Sequence, residues 1–244
     1  QSPIAHSRSA RRADAVANGD GGKVIVWADD ATRFYGSIIA RGGANGGDGG
    51  FVEGSGKENL GFNGFVDLSA RKGKAGSLLL DPGDLYVGSN PGAAIQDLDN
   101  PFEAPAGADD YFVTKASLEA LAPTNVTLQA SNDIIFNASL SMASVIPTGW
   151  SLFASAGNAI NMASYGIATG GGDIAMTAGA GGIYATGNIN VGIGTVSLTS
   201  GGPITQGGGT GITASKLELL GGGTFTLNNS SNSIVTLAGN VGSL

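Results

Sequence analysis

The chain has 244 residues, among them 43 Gly, 8 Pro and no Cys, with 13% charged residues and a formal net charge of -7. At 41% hydrophobic it holds enough apolar material for a core, which argues against disorder throughout. The glycines follow no G-x-y triplet, which excludes collagen, and no apolar run is long enough for a membrane-spanning helix.

The acidic balance argues against a nucleic-acid partner, whose phosphates call for clustered Lys and Arg. The absence of Cys removes disulfides, thiol catalysis and Cys-based zinc sites together, without fixing the compartment.

Residues 1–22 read as a leader or linker. Arg8, Arg11 and Arg12 have no apolar segment behind them, so they do not begin a signal peptide; a segment of a longer protein would open this way. Residues 23–88 carry strand signals at irregular spacing: KVIVWA at 23–28, RFYGSIIA at 33–40, FVEGS at 51–55, FVDLSA at 65–70, SLLLD at 77–81 and DLYVG at 84–88. Glycine clusters such as GGANGGDGG at 42–50 separate them.

Over 89–125 the texture changes to a Pro-rich acidic stretch, expected to leave the main body and lie over its side. Within it, TKASLEALA at 114–122 predicts a short helix. Thr114 is its N-cap, Leu118 and Leu121 share one face, and Pro123 ends it.

From 126 to 244 the chain repeats itself. VTLQAS, WSLFAS, IAMTAG, VSLTSG and LELLGG align on Leu128, Leu152, Met176, Leu198 and Leu219, at spacings of 24, 24, 22 and 21. A second apolar start follows in each unit at Ile134, Ile160, Ile183, Ile204 and Phe225, and a third at Leu140, Ile167, Ile189 and Ile212. Ile234, Val235 and Leu237 either close the last unit or open another. Three short alternating strands per unit of about 22 residues, parted by Gly, Asn, Ser and Asp, describe one triangular coil of a parallel β-helix. The expected fold is therefore all-β, a parallel β-helix with an irregular insertion containing a short helix. Leu152, Met176 and Leu198 are expected one above another in a shared core. The strands of 23–88 are further coils of the same solenoid.

The stretch GGKVIVWADDATRFYGSIIARGGANGGDGGFVEGSGKENL at 21–60 and the GKAGSLLLDPGDLYVG element at 73–88 resemble large two-partner-secretion exoproteins of Gram-negative bacteria, the filamentous-haemagglutinin-like and high-molecular-weight adhesins. VTKASLEALAPTNVTLQASNDIIFNASL at 113–140 and GGPITQGGGTGITASKLELLGG at 201–222 are similar to that family's later repeats. The resemblance implies a right-handed β-helix, export through an outer-membrane transporter-porin partner, a secreted or cell-surface location and a role in adhesion and virulence. The host receptor or glycan stays open, and the family's amino-terminal secretion motifs are not visible here.

An enzyme of β-helix type, a polysaccharide lyase or hydrolase, needs a base beside calcium-holding acids or two to three converging carboxylates. From residue 126 onward the charged residues are Asp133, Asp173, Lys216 and Glu218, and the two aspartates fall in different phases of different units. The one histidine is His6, so neither a Ser-His-Asp triad nor a His-based metal site can be built. The expectation is no enzymatic activity and no cofactor.

Asp97, Asp99, Glu103, Asp109 and Asp110, beside Tyr111, cluster in the insertion. They are candidates for surface contact or calcium, weighed against a merely solvated loop, which is favoured. GGANGGDGG has the wrong spacing for the calcium-binding nonapeptide, and the single pair Thr224 and Thr226 is no ice-binding array. Trp27, Phe34, Tyr35 and Phe51 are candidates for a sugar-stacking surface, with at least half of them expected in the core; Trp27 and Tyr35 are the surface candidates. Asn132, Asn158, Asn188 and Asn190 are expected as corner residues that bond the backbone. Exposed coil ends are a liability for self-association.

Overall fold

The computed structural model describes residues 4–88, 112–121, 124–142 and 151–243. The chain winds as a parallel β-helix. Most coils contribute a strand to each of three faces, because short apolar alternations are cut by Gly, Asn and Asp corners; toward the end Ile212–Thr226 and Ser233–Ser243 run on across theirs.

The first face is the longest ladder. Its rungs are Lys23–Ala28, Phe51–Gly56, Ser77–Asp81, Asn125–Ala130, Leu152–Ala156, Ile174–Ala178 and Thr195–Ser200, followed by the middle of Ile212–Thr226 and of Ser233–Ser243, all parallel and in register. One inward column runs Val24, Val52, Leu78, Val126, Leu152, Ile174, Val196, Leu217 and Leu237. A second runs Val26, Gly54, Leu80, Leu128, Ala154, Met176, Leu198, Leu219 and Gly239.

Leu152 thus does not lie over Met176: it stacks between Val126 and Ile174, and Ala154 takes the place between Leu128 and Met176. The alignment of that one coil on its most apolar residue slipped by two. An even slip keeps the same side chains facing inward, so Leu152 is still fully buried and the architecture is untouched.

The second apolar starts stack as expected, Ile134 on Ile160, Ile183, Ile204 and Phe225. The third starts also stack, Leu140 on Ile167, Ile189 and Ile212. The last strand resolves the open choice at 234–237: Ile234 continues the third face beside Ala214, and Leu237 begins a further first-face rung beside Leu217.

The stretch read as a leader already carries rungs. Ile4–Ser7 pairs with Ala31–Phe34 and Ala10–Arg12 with Ser37–Ile39. Asn59–Phe62, with no strand signal of its own in the sequence, is the next second-face rung.

The described part of the insertion does not lie over the side of the rod; it is built into it. Val113–Thr114 enters the second face between Asn59–Phe62 and Leu85–Gly88, with Val113 opposite both Phe62 and Val87. On the first face the corresponding rungs Phe51–Gly56 and Ser77–Asp81 pair directly. The second face therefore has one rung more than the first at this level.

The helix Lys115–Glu119 follows, capped by the Thr114 side chain, which accepts from the Ser117 backbone N–H. It stands where a third-face strand would, and Glu119 Oε1 accepts the Ser141 N–H at 2.6 Å. Val113, Leu118 and Leu121 are buried in the common core. The apolar residues of this segment had to go somewhere, and the shaft was the nearest dry place.

Candidate functional site

Outward side chains of the first face line up rung over rung because the ladder is in register. Trp27, Ser55 and Asp81 form one such column, and Ile25, Glu53 and Leu79 the next. Trp27, Glu53, Ser55 and Asp81, together with Lys57, Glu58, Pro82 and Ser131, surround an open cleft of about 400 Å³. Trp27 points outward and is 44% exposed.

The polar groups of the cleft are held in place. Ser55 Oγ donates to Glu53 Oε1 at 3.0 Å, and Gln129 Nε2 donates to Asp81 Oδ2 at 3.4 Å. Burial in the first place, and the Glu53 charge in the second, push the Asp81 carboxyl above the usual carboxylate value. Desolvation and a neighbouring like charge both favour the neutral acid.

The aromatic candidates separate. Phe34 is fully buried and stacks on Phe62 with centroids 5.3 Å apart. Phe51 is half-buried beneath the Lys23 ammonium, 5.0 Å from its ring centroid. Tyr35 lies past the end of the second-face strand Ala31–Phe34, with the Arg8 guanidinium 5.7 Å from its ring. Of the four, only Phe34 is core, where at least half were expected. Trp27 and Tyr35 sit on different faces and do not form one surface. Asp97, Asp99, Glu103, Asp109, Asp110 and Tyr111 lie outside the described residues.

Glu53, Ser55 and Asp81 were not singled out in the sequence. They stand two and 26 residues apart along the chain and meet only through the register. The signal was there in principle: FVEGS and SLLLD, laid rung on rung, place Ser55 beside Asp81.

The acids of the second half have structural employment. Asp133 Oδ1 accepts from Asn158 Nδ2 at 2.8 Å and from the Ala159 N–H at 2.9 Å, both on the next coil. Asp173 Oδ1 accepts the Thr195 N–H at 2.7 Å. They occupy separate corners, in line with their different phases in the repeat.

The corner asparagines divide. Asn188 Oδ1 accepts the Gly211 N–H at 2.7 Å and Asn190 Oδ1 the Gly192 N–H at 3.0 Å, which satisfies backbone donors as expected. Asn132 and Asn158 instead donate, each at 2.8 Å, to the carboxylates of Asp84 and Asp133.

A second polar cluster, Arg12, Asp14, Arg41 and Asp67, ties the first coils together. Arg12 reaches Asp14 at 3.0 Å, and Arg41 reaches Asp14 at 3.4 Å and Asp67 at 3.8 Å. Burial opposes ionisation of Asp14, but hydrogen bonds from the Arg41 backbone and side chain and from Arg12 outweigh it and hold the carboxyl below its usual value. Among the described residues no group of three or more His, Cys, Asp or Glu is arranged to hold a metal ion.

No protein-family model matches the chain, and no curated protein matches it.

Proposed function

We propose that the chain is a rod segment of a secreted or surface-held bacterial adhesin, exported by an outer-membrane transporter-porin partner. It holds binding surfaces away from the cell. The observation that carries this reading is the unbroken first-face ladder with its two apolar columns. Nine rungs at ~4.8 Å spacing make a shaft on the order of 40 Å long, braced by backbone hydrogen bonds in every coil. Such a stack resists bending and passes load from rung to rung. The likeness of 21–60 and 73–88 to two-partner-secretion exoproteins supplies the route of export. The few charges and the abundance of Gly, Ser, Thr and Asn suit a chain that crosses a membrane unfolded and folds outside.

The experiment is export. Fused behind a two-partner secretion domain in a Gram-negative host that carries the cognate transporter, residues 19–244 are expected at the cell surface in protease-resistant form. The purified chain is expected to refold from denaturant without cellular factors. Retention in the periplasm, or refolding that depends on a chaperone, would overturn the reading.

The strand Ser233–Ser243 supports a further property, end-to-end association of copies. Leu237 continues a core column yet is 59% exposed, and among the described residues its strand pairs along one edge. An open strand edge is a template for another strand. Light scattering is expected to show oligomers growing with protein concentration, and Val235→Lys with Leu237→Lys to suppress them. A monodisperse monomer at millimolar concentration would sink this part.

A further inference from the structure

We propose that the first-face cleft beside Trp27 is a binding subsite for an uncharged hexose glycan. The Trp27 indole forms the stacking platform, and the Glu53 and Asp81 side chains receive sugar hydroxyls. This goes beyond the rod reading and does not depend on it. A rod without glycan affinity would fail here and leave the proposed function standing.

Four observations converge. First, Trp27 is a large aromatic on a first-face strand, turned outward and 44% exposed. In its own outward column the positions Ser55, Asp81, Ser155 and Thr177 are polar, while the neighbouring column carries the apolar Ile25, Leu79 and Phe153. An aromatic ring offers the apolar C–H face of a pyranose a large contact area at little entropic cost.

Second, the ring is flanked by polar groups that are already oriented. Ser55 fixes Glu53 at 3.0 Å, and Gln129 approaches Asp81 at 3.4 Å. Charge-assisted bonds from hydroxyls to a placed carboxylate are the stronger kind. The Asp81 carboxyl, raised by its burial and by the charge of Glu53, gains when a hydroxyl donor arrives to stabilise its ionised form.

Third, the cleft is open, holds about 400 Å³ and is lined by Trp27, Ser55 and Asp81 of three successive rungs, which suits an extended chain passing over it better than an enclosed small molecule. Successive rungs present their side chains every ~4.8 Å, comparable to the length of one hexose in a glycan laid along the axis.

Fourth, charge selects the ligand class. The cleft is lined by Glu53, Glu58 and Asp81 against the single cation Lys57, on a chain of net charge -7. Sulfated or uronic-acid glycans meet like charge there, and neutral ones do not.

The test uses the whole chain. Its two tryptophans are Trp27 and Trp150, so a Trp150→Phe background makes emission report Trp27 alone. Neutral hexaoses of glucose, mannose and galactose are titrated beside a heparin hexasaccharide, with calorimetry for affinity and circular dichroism to verify the fold of each variant. At least one neutral hexaose is expected to shift Trp27 emission saturably. Its affinity is expected to fall at least tenfold in Trp27→Ala and in the isosteric Asp81→Asn. Phe153→Ala, an outward change farther along the same face, is expected to leave it unchanged.

Absence of a saturable response to all three neutral hexaoses would overturn the proposal. So would equal affinity in Trp27→Ala, or tighter binding of heparin than of any neutral sugar. Release of new reducing ends that disappears in Asp81→Asn would also overturn it, in favour of a hydrolase.

Discussion

Replacing Leu198 by Ala is expected to destabilise the chain by about 2–5 kcal/mol, the range for emptying a large side chain out of a close-packed core. Leu198 is fully buried and lies between Met176 and Leu219 in an inward column. Its removal therefore opens a void in the middle of a stack, with walls that cannot collapse because the rungs above and below are pinned by hydrogen bonds. Thr199→Ala, one residue along the same strand and facing the other way, is expected to stay within about 0.5 kcal/mol. Urea unfolding followed by circular dichroism measures both. In a solenoid each coil leans only on its neighbours, so Leu198→Ala should also split the transition, with the coils beyond residue 198 melting first. Equal costs for the two substitutions would mean that the side chains do not point where the ladder puts them.

The alternation that distinguishes Leu198 from Thr199 was legible in the sequence, because strand side chains alternate with a period of two and the repeat supplied five aligned copies. Two of the three strand positions in each unit aligned without error, at Ile134 to Phe225 and at Leu140 to Ile212. The first position slipped at one coil because WSLFAS offers its leucine where its neighbours offer theirs, while the true partner of Met176 is Ala154. Inward positions in that column hold Val, Gly, Leu, Ala and Met. Residue size is then a poor guide to register, and the apolar signal tracks only the facing.

The insertion was harder to read for a different reason. Composition marks where the repeat stops, but not whether the chain leaves the rod. Thr114, Leu118 and Leu121 gave the helix and its buried face correctly. What no local pattern carries is that Val113 joins a rung between strands some 25 and 50 residues earlier. That pairing is decided by the depth of the shaft. The first coils were missed in part for want of apolar residues: Ala10–Arg12 is exposed at every position and is a strand only because Ser37–Ile39 is beside it.

The candidate cleft was half visible. Trp27 could be chosen as an outward aromatic, since its neighbours in KVIVWA alternate. Its partners could not, because Ser55 and Asp81 come to it across corners whose length is irregular in this half of the chain. A function that lives on the outside of a solenoid is written across rungs. It becomes readable only once the register is known.

Gly76→Ala is expected to cost on the order of 3 kcal/mol, the upper end for forcing extra atoms into a packed interior, and Gly76→Val more. The reason is closeness of approach. Gly22, Gly50 and Gly76 stack at one corner, where Phe51 N–H donates to the Gly22 carbonyl at 3.1 Å, Ser77 N–H to the Gly50 carbonyl at 3.1 Å and Asn125 N–H to the Gly76 carbonyl at 3.3 Å. A Cβ on Gly76 would overlap the Gly50 carbonyl, and one on Gly50 the Gly22 carbonyl. Neither partner is the movable tip of a side chain. Coils would have to part, and the ladder bonds at Phe51, Ser77 and Asn125 would break with them. A corner glycine can serve a left-handed backbone, as at Gly47 with φ +126°, but at Gly50 and Gly76 the demand is for empty space. Gly208→Ala separates the two causes, since no atom lies within 4 Å of its added Cβ. That substitution is expected to be neutral or to stabilise by up to about 1 kcal/mol through the unfolded chain. Urea midpoints read by Trp27 emission in the Trp150→Phe background and by circular dichroism decide the matter. A Gly76→Ala midpoint no lower than that of Gly208→Ala would show that the coils are not packed backbone against backbone at that corner.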